Sequence, residues 1–149
     1  MYTHILVPTD GSALSLKAAK AAVELARTLK TKLTAVYATA PWMPPMGGEG
    51  EMPRRMFTLE SEYRKAKEKE AEKALASIEA VAREAKVECD KLHVIDDQPW
   101  NGIINAAGDK RCDLVVMASH GRRGLASLLL GSETVKVLTH SKIPVLVCR

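Results

Sequence analysis

The chain has 149 residues and a composition that is 46% hydrophobic but only 4% aromatic. This length suits one domain that buries roughly 70% of its unfolded surface around aliphatic side chains, and the shortage of aromatic rings argues against ligand binding by stacking. The net charge of +4 comes from 22 basic and 18 acidic residues, which are largely interspersed and so do not indicate a nucleic-acid partner.

The first predicted elements are a buried strand and an amphipathic helix. Residues 4–8 form a short apolar run, and residues 9–12 read as a turn followed by a helix cap. In the helix, apolar residues recur every three or four positions and predict a buried stripe. The stripe consists of Leu14, Ala18, Ala21, Leu25 and Leu29. One side of this helix is therefore expected to pack on a sheet.

A second strand, an irregular stretch and a long helix follow. Residues 33–39 read as a strand, and the prolines and glycines between residues 40 and 58 predict an irregular loop that is either a lid or merely mobile. The pattern over residues 60–86 predicts a helix with a heavily charged first half. Pairs such as Arg64 with Glu68 indicate a solvated helix face, because no aromatic residues interleave as nucleic-acid binding would require.

The rest of the chain continues the alternation of strands and helices. It consists of strands at residues 87–95, 113–118 and 144–148, with helices that start at Pro99 and at residues 131–132. Strands that alternate with helices pair in parallel through right-handed crossovers. The sequence therefore predicts a single α/β domain over residues 1–149. Its architecture is a three-layer, open, five-stranded parallel sheet with helices on both faces and a flavodoxin-like winding.

Two polar loops are candidates for a ligand site. Open parallel sheets bind ligands outside the carboxyl ends of their strands, at the point where the strand order reverses. Residues 8–12 follow the first strand, and residues 117–121 follow the fourth. A phosphate requires closely approaching backbone N–H donors, which glycine permits, and the N-terminus of a helix favours an anion. Gly121, Gly131 and the helix that begins at Ser132 offer both.

These same residues resemble those of the universal stress protein family. One part of the resemblance is the opening strand with Pro-Thr-Asp-Gly-Ser at residues 8–12. The other is Val-Met-Ala-Ser-His-Gly at residues 116–121, followed after nine residues by Gly131 and Ser132 and later by Ile-Pro-Val-Leu-Val at residues 143–147. The resemblance covers nearly the whole chain. It implies an adenine nucleotide alpha hydrolase-like fold and an ATP-binding regulatory or stress-response protein that acts through nucleotide occupancy and dimerisation.

The resemblance also implies a role for each residue of the two loops. Asp10, next to Thr9, would hydrogen-bond the ribose, and Val36, at the end of the second strand, would contact adenine through its backbone. Pro8 and Met117 would complete the wall on the purine side. The ribose and phosphates would be held by Gly121, Gly131, Ser132 and the backbone at Glu133. ATP would carry Mg²⁺ or Mn²⁺ bridging its phosphates, without a protein cage around the metal.

Ala118 departs from the pattern of ATP-binding members, which have Gly-x-x-Gly starting at this position. If the position is extended, a methyl group costs little. If it requires positive φ or touches a phosphate, alanine weakens or abolishes binding. Arg122 and Arg123, in the variable nine-residue stretch, are either phosphate-neutralising side chains or solvated loop charges.

Several of these residues also have purely structural interpretations. Asp10 and Ser132 each fit a helix cap, and Met117 fits the core. Ser119 beside His120 suggests a nucleophile and base, but no G-x-S-x-G elbow is present. We therefore predict no catalytic residue. The histidines lack ligand spacing, so we predict no metal site within the protein.

Two hypotheses compete with a nucleotide-binding regulator. The first is a dimeric scaffold of the same fold without nucleotide affinity, and Ala118 is its best support. The second is a slow ATPase, an autophosphorylating protein or another adenine-nucleotide enzyme, although the signatures H-x-G-H and S-G-G-x-D-S are absent. None of these three hypotheses, the regulator, the scaffold or the enzyme, identifies a regulatory protein partner.

The end of the chain and the cysteines predict assembly and localisation. The resemblance implies a homodimer paired through the C-terminal strand at residues 144–148. This strand is an apolar edge that would favour aggregation if it were left unpaired.

The cysteines bear on the cellular compartment. They are Cys89, Cys112 and Cys148, which are widely separated and odd in number, and this favours a reducing compartment over a disulfide framework. With no leader and no apolar run near ~18 residues, we predict a cytoplasmic protein without a membrane span.

Overall fold

The computed structural model describes residues 1–46, 53–122 and 129–149. Within them the predicted alternation of strands and helices is confirmed. The elements are β1 (His4–Pro8), α1 (Ala13–Leu29), β2 (Lys32–Thr39), α2 (Pro53–Glu84), β3 (Cys89–Ile95), α3 (Pro99–Asp109), β4 (Leu114–Ala118), α4 (Ser132–His140) and β5 (Val145–Cys148). The five strands form one parallel sheet.

The strand order is β3-β2-β1-β4-β5. The predicted flavodoxin-like winding is therefore wrong in detail, because that winding places the third strand beside the first. Here β3 lies at the sheet edge, and the polar side chains of Asp90, Lys91 and His93 suit a strand with only one neighbour. The order reverses between β1 and β4, so the ligand crevice expected of such a sheet lies at the carboxyl ends of these two strands.

Two apolar clusters cover the two faces of the sheet. Ile5 and Val7 of β1 point to the face packed by α1 and α2, whereas Leu6 points to the face packed by α3 and α4. Both β1 and β4 are buried along their whole length. This double covering explains why these two strands are continuous apolar runs instead of alternating ones.

The helix α2 begins earlier than the sequence predicts. It starts at Pro53, so the part of the predicted irregular loop that spans residues 53–58 is wrong. Proline is favourable in the first turn of a helix, because its missing N–H group would have no intrahelical partner there. Residues 47–52 of the same predicted loop lie outside the described residues. Although α2 has 32 residues, no helix in the described part of the chain is long and apolar enough to cross a membrane.

A carboxylate fastens β1 to β4 at the end of the sheet opposite the crevice. Asp113 accepts hydrogen bonds from the backbone N–H groups of Thr3 at 2.8 Å and His4 at 3.0 Å, and from the Thr3 hydroxyl at 2.8 Å. Desolvation acts to raise the pKa of Asp113, but these hydrogen bonds outweigh it and the pKa is lowered. The ionised carboxylate therefore holds together the two strands that carry the crevice.

Candidate functional site

Asp10 joins the two loops at the carboxyl ends of β1 and β4. Its Oδ1 accepts the backbone N–H of Ser12 at 2.9 Å, and its Oδ2 accepts the backbone N–H of Arg122 at 2.7 Å. The interpretation of Asp10 as the cap of α1 is wrong, because Ser12 is the N-cap and its hydroxyl accepts the N–H of Ser15 at 3.1 Å. Asp10 is instead a link between the loops.

The carboxyl of Asp10 is held in its ionised form. Partial burial acts to raise its pKa, but hydrogen bonds donated by Ser12 and by the backbone of Arg122 outweigh this effect, and the pKa is lowered. The crevice therefore presents a fixed negative acceptor at neutral pH. Such an acceptor suits a hydroxyl donor of a ligand and repels an anionic group placed directly on it.

Two glycines leave room for close neighbours in the crevice. A Cβ atom at Gly121 would collide with Oδ2 of Asp10, and one at Gly131 would stand 3.1 Å from the Cα of His120. The N–H of Gly131 also donates to the carbonyl of Ser119 at 2.7 Å. Gly121 therefore leaves room for the carboxylate of Asp10, and Gly131 leaves room for the backbone of His120.

The N-terminus of α4 lies beside these glycines and has no side-chain cap. Gly131 is the N-cap residue and Ser132 is the first helical residue, so the interpretation of Ser132 as the cap is wrong. Glu133 turns away from the helix end, because its Oε2 accepts the backbone N–H of Trp100 at 2.9 Å. Among the residues that the structure describes, no side chain caps the first N–H groups of α4, which are therefore open to a ligand or to water.

Ala118 adopts the extended conformation for which a methyl group is harmless. It is the last residue of β4 and pairs with Cys148. Its φ angle is not positive. Its carbonyl accepts the hydroxyl of Thr134 at 3.0 Å. The departure from glycine at this position therefore imposes no backbone strain.

The residue at the open end of β2 is Ala38, which sequence reasoning missed. The predicted end of the second strand at residue 39 is confirmed, so Val36 lies in the middle of β2 and not at its end. Val36 is fully buried and its carbonyl accepts the N–H of Thr9 at 2.9 Å. On the edge of β2 that faces β3, the carbonyl of Thr39 accepts the N–H of Asp96 at 3.0 Å. Because backbone polar groups alternate sides along a strand, those of Ala38 face the space beyond the end of β1.

The remaining predicted residues are three buried ones, Pro8, Thr9 and Met117, and two arginines. Pro8 and Thr9 are buried at the end of β1, and Met117 is buried among the side chains of the α3 and α4 face. The side chain of Arg122 lies against Gly11, with Nη2 2.7 Å from the position of a Cβ at that glycine. It therefore points to the α2 side of Asp10 and away from α4. Arg123 lies outside the described residues.

Ser119 and His120 do form a hydrogen bond, at 3.2 Å between Oγ and Nδ1. The hydroxyl is nevertheless a poor candidate nucleophile, because Ser119 is only 3% exposed. Across the residues that the structure describes, no group of three or more His, Cys, Asp or Glu side chains could hold a metal ion.

An open parallel sheet with a polar crevice at its switch point is the architecture of α/β proteins that bind nucleotides and related cofactors. The profile of the Universal stress protein family matches residues 1–149. The chain therefore belongs to the universal stress protein family.

Individual relatives agree with this assignment. The chain is similar to universal stress protein MJ0531 of Methanocaldococcus jannaschii, with 34% identity over 153 residues that cover 100% of this chain and 83% of the relative. It also resembles the solved structure of the universal stress protein UspA from Lactobacillus plantarum, with a TM-score of 0.82, 25% identity, and coverage of 99% and 98% of the two chains. A universal stress protein solved in complex with cAMP matches with a TM-score of 0.72, 26% identity, and coverage of 99% and 97%.

Proposed function

We propose that the crevice between β1 and β4 binds an adenine nucleotide, and that the protein acts in the stress response through nucleotide occupancy and dimerisation. The main support is the close approach of Gly121 to the carboxylate of Asp10, beside Gly131 and a helix N-terminus that has no side-chain cap among the described residues. A related protein of the same fold has been solved in complex with cAMP, which is an adenine nucleotide.

The arrangement of the loops suggests how the nucleotide lies. The carboxylate of Asp10 accepts a ribose hydroxyl. The phosphates lie at Gly131 and the first turn of α4, where free N–H groups and the helix dipole favour negative charge. The base lies at the ends of β1 and β2, where the backbone of Ala38 offers a donor and an acceptor. With ATP, Mg²⁺ or Mn²⁺ would neutralise the phosphates.

Bound nucleotide can be measured directly. We expect the freshly purified protein to release an adenine nucleotide on denaturation, detected by chromatography, and the stripped protein to bind Mg-ATP in a calorimetric titration. If no nucleotide is released, and millimolar Mg-ATP gives neither heat nor a shift in Tm, the proposal is wrong. A dimeric scaffold without nucleotide affinity would then be the better description.

We also propose that two copies of the chain pair through β5. This strand lies at the sheet edge, next to β4 alone, and Leu146 on it is 45% exposed. The carbonyls of Pro144 and Cys148 accept N–H groups from β4 and the residue after it. Along a strand, the backbone polar groups of successive residues point alternately to its two edges. Those of Val145 and Val147 therefore point away from β4 and are available to a second copy.

Substituting Val147→Pro tests this pairing. Proline removes an outward N–H group and is tolerated on an edge strand, so the contacts of β5 with β4 are expected to persist. We expect the wild-type protein to be a dimer by light scattering at micromolar concentration. The variant should dissociate at least about tenfold more readily, since at least one intermolecular hydrogen bond and its neighbours are lost. A monomeric wild-type protein, or a variant with unchanged association, would contradict the pairing through β5.

A further inference from the structure

A second cavity lies on the α2 side of the Asp10 loop. It has a volume of about 220 Å³ and lies between the start of α1 and the middle of α2, space for about seven water molecules at roughly 30 Å³ each. Its described lining residues are mostly polar or charged. They are Thr9, Gly11, Ser12, Leu16, Glu70, Lys73, Ala74, Ser77 and Arg122. No residue of α3, α4 or β4 lines it, so it is separate from the phosphate end of the crevice.

The charges on the cavity wall favour an anion. Lys73 and Arg122 contribute two cations, and the ammonium of Lys73 has no hydrogen-bond or ion-pair partner within the described residues. The negative charge of Glu70 is already compensated, because it accepts the ammonium of Lys67 at 3.0 Å and the hydroxyl of Tyr37 at 3.4 Å. The wall therefore keeps a net positive charge after internal pairing.

The hydroxyl groups on the cavity wall are already engaged within the protein. The hydroxyl of Ser12 accepts the N–H of Ser15 at 3.1 Å and hydrogen-bonds the carboxylate of Asp10. The hydroxyls of Thr9 and Ser15 are used by each other, at 3.0 Å. The donors left to a ligand are therefore the two cations, Lys73 and Arg122, and these suit a phosphate group, which accepts several charge-assisted hydrogen bonds.

The position of the cavity identifies what would carry such a phosphate. Thr9, Gly11 and Ser12 line it, and these residues flank Asp10 in the chain. Under the proposed function Asp10 holds the ribose, while the 5′-phosphates lie on the other side of it, at α4. A group that enters the cavity is thus attached to the ribose itself.

We infer that the cavity accepts a phosphate on a ribose hydroxyl, so that the protein prefers adenosine bisphosphates of the 2′,5′ or 3′,5′ type to AMP. This inference rests on the proposed adenine-nucleotide site and names the class of nucleotide that it selects. Lys73 and Arg122 are the residues that determine this selectivity. Their contribution is electrostatic, so the preference should shrink as the salt concentration rises.

Calorimetric titration of the protein with AMP, adenosine 3′,5′-bisphosphate and adenosine 2′,5′-bisphosphate tests the inference. We expect one of the bisphosphates to bind at least about tenfold more tightly than AMP, because a charge-assisted hydrogen bond contributes roughly that factor. In Lys73→Gln the preference should largely disappear while the affinity for AMP is kept. The matched control is Lys69→Gln, which makes the same charge change on α2 outside the cavity lining.

A second variant tests the same inference in the opposite direction. Glu70→Gln removes the negative charge from the described part of the cavity wall and should strengthen binding of the preferred bisphosphate more than binding of AMP. If AMP binds but neither bisphosphate binds more tightly, the inference is wrong and the proposed function stands. If Lys73→Gln weakens AMP and bisphosphate equally, selectivity does not come from this cavity. If no nucleotide binds at all, the proposed function itself is wrong, and the inference falls with it.

Discussion

Replacing Gly131 with aspartate is expected to abolish nucleotide binding while leaving the fold intact. Aspartate is a favourable N-cap residue, so the added helix stabilisation offsets part of the cost of placing a Cβ 3.1 Å from the Cα of His120. The new carboxylate lies where the phosphates are proposed to bind. Because like charges within about 4 Å repel by several kcal/mol near a protein surface, we expect a loss of affinity of roughly 100-fold or more.

The matched control is Gly108→Asp in α3. A Cβ at Gly108 has no neighbour within 4 Å, and the substitution introduces the same charge away from the crevice. Calorimetric titration with Mg-ATP, combined with circular dichroism and thermal melting, separates binding from folding. A folded Gly131→Asp variant with wild-type affinity would show that the phosphates do not lie at the start of α4.

The sequence was sufficient for the elements of the fold but insufficient for the order of the strands. Apolar runs and helical periodicity identify each strand and helix because burial dictates them locally. Strand order depends on which side of β1 the chain crosses to, and the apolar runs at residues 33–39 and 113–118 do not encode that side. The polar residues of β3 carried the one usable signal, since Asp90 and Lys91 suit an edge position.

The sequence predicts those residues of the candidate site whose role depends on their own residue type. It does not predict those whose role depends on how neighbouring strands align. Gly121 and Gly131 could be selected from the sequence because glycine, which has no Cβ, leaves room for close neighbours. Ala38 could not be selected, since its role follows from β2 running three residues beyond the end of β1. The direction of Arg122 toward Gly11 is likewise a consequence of how the two loops meet.

Replacing Asp10 with alanine is expected to impair both ligand binding and stability. The variant loses the acceptor proposed for the ribose hydroxyl and the hydrogen bonds from the backbone N–H groups of Ser12 and Arg122. We expect the affinity for Mg-ATP to fall at least about tenfold and the free energy of unfolding to fall by about 2 kcal/mol, typical for hydrogen bonds to a charged group. Calorimetry and urea denaturation measure the two effects.

Asp113→Ala is the control that separates these effects. Asp113 also accepts two backbone N–H groups, but it lies at the opposite end of β1 from the crevice, so its loss should lower stability by a similar amount and leave the affinity unchanged. Both carboxyls have lowered pKa values in the folded chain. Their stabilisation is therefore present above the pKa of the unfolded chain and is lost as the pH falls through the lowered folded pKa. Each variant should accordingly lose less stability than the wild type on acidification. If Asp10→Ala lowered stability without changing the affinity, Asp10 would be a link between loops and not a ligand-binding residue.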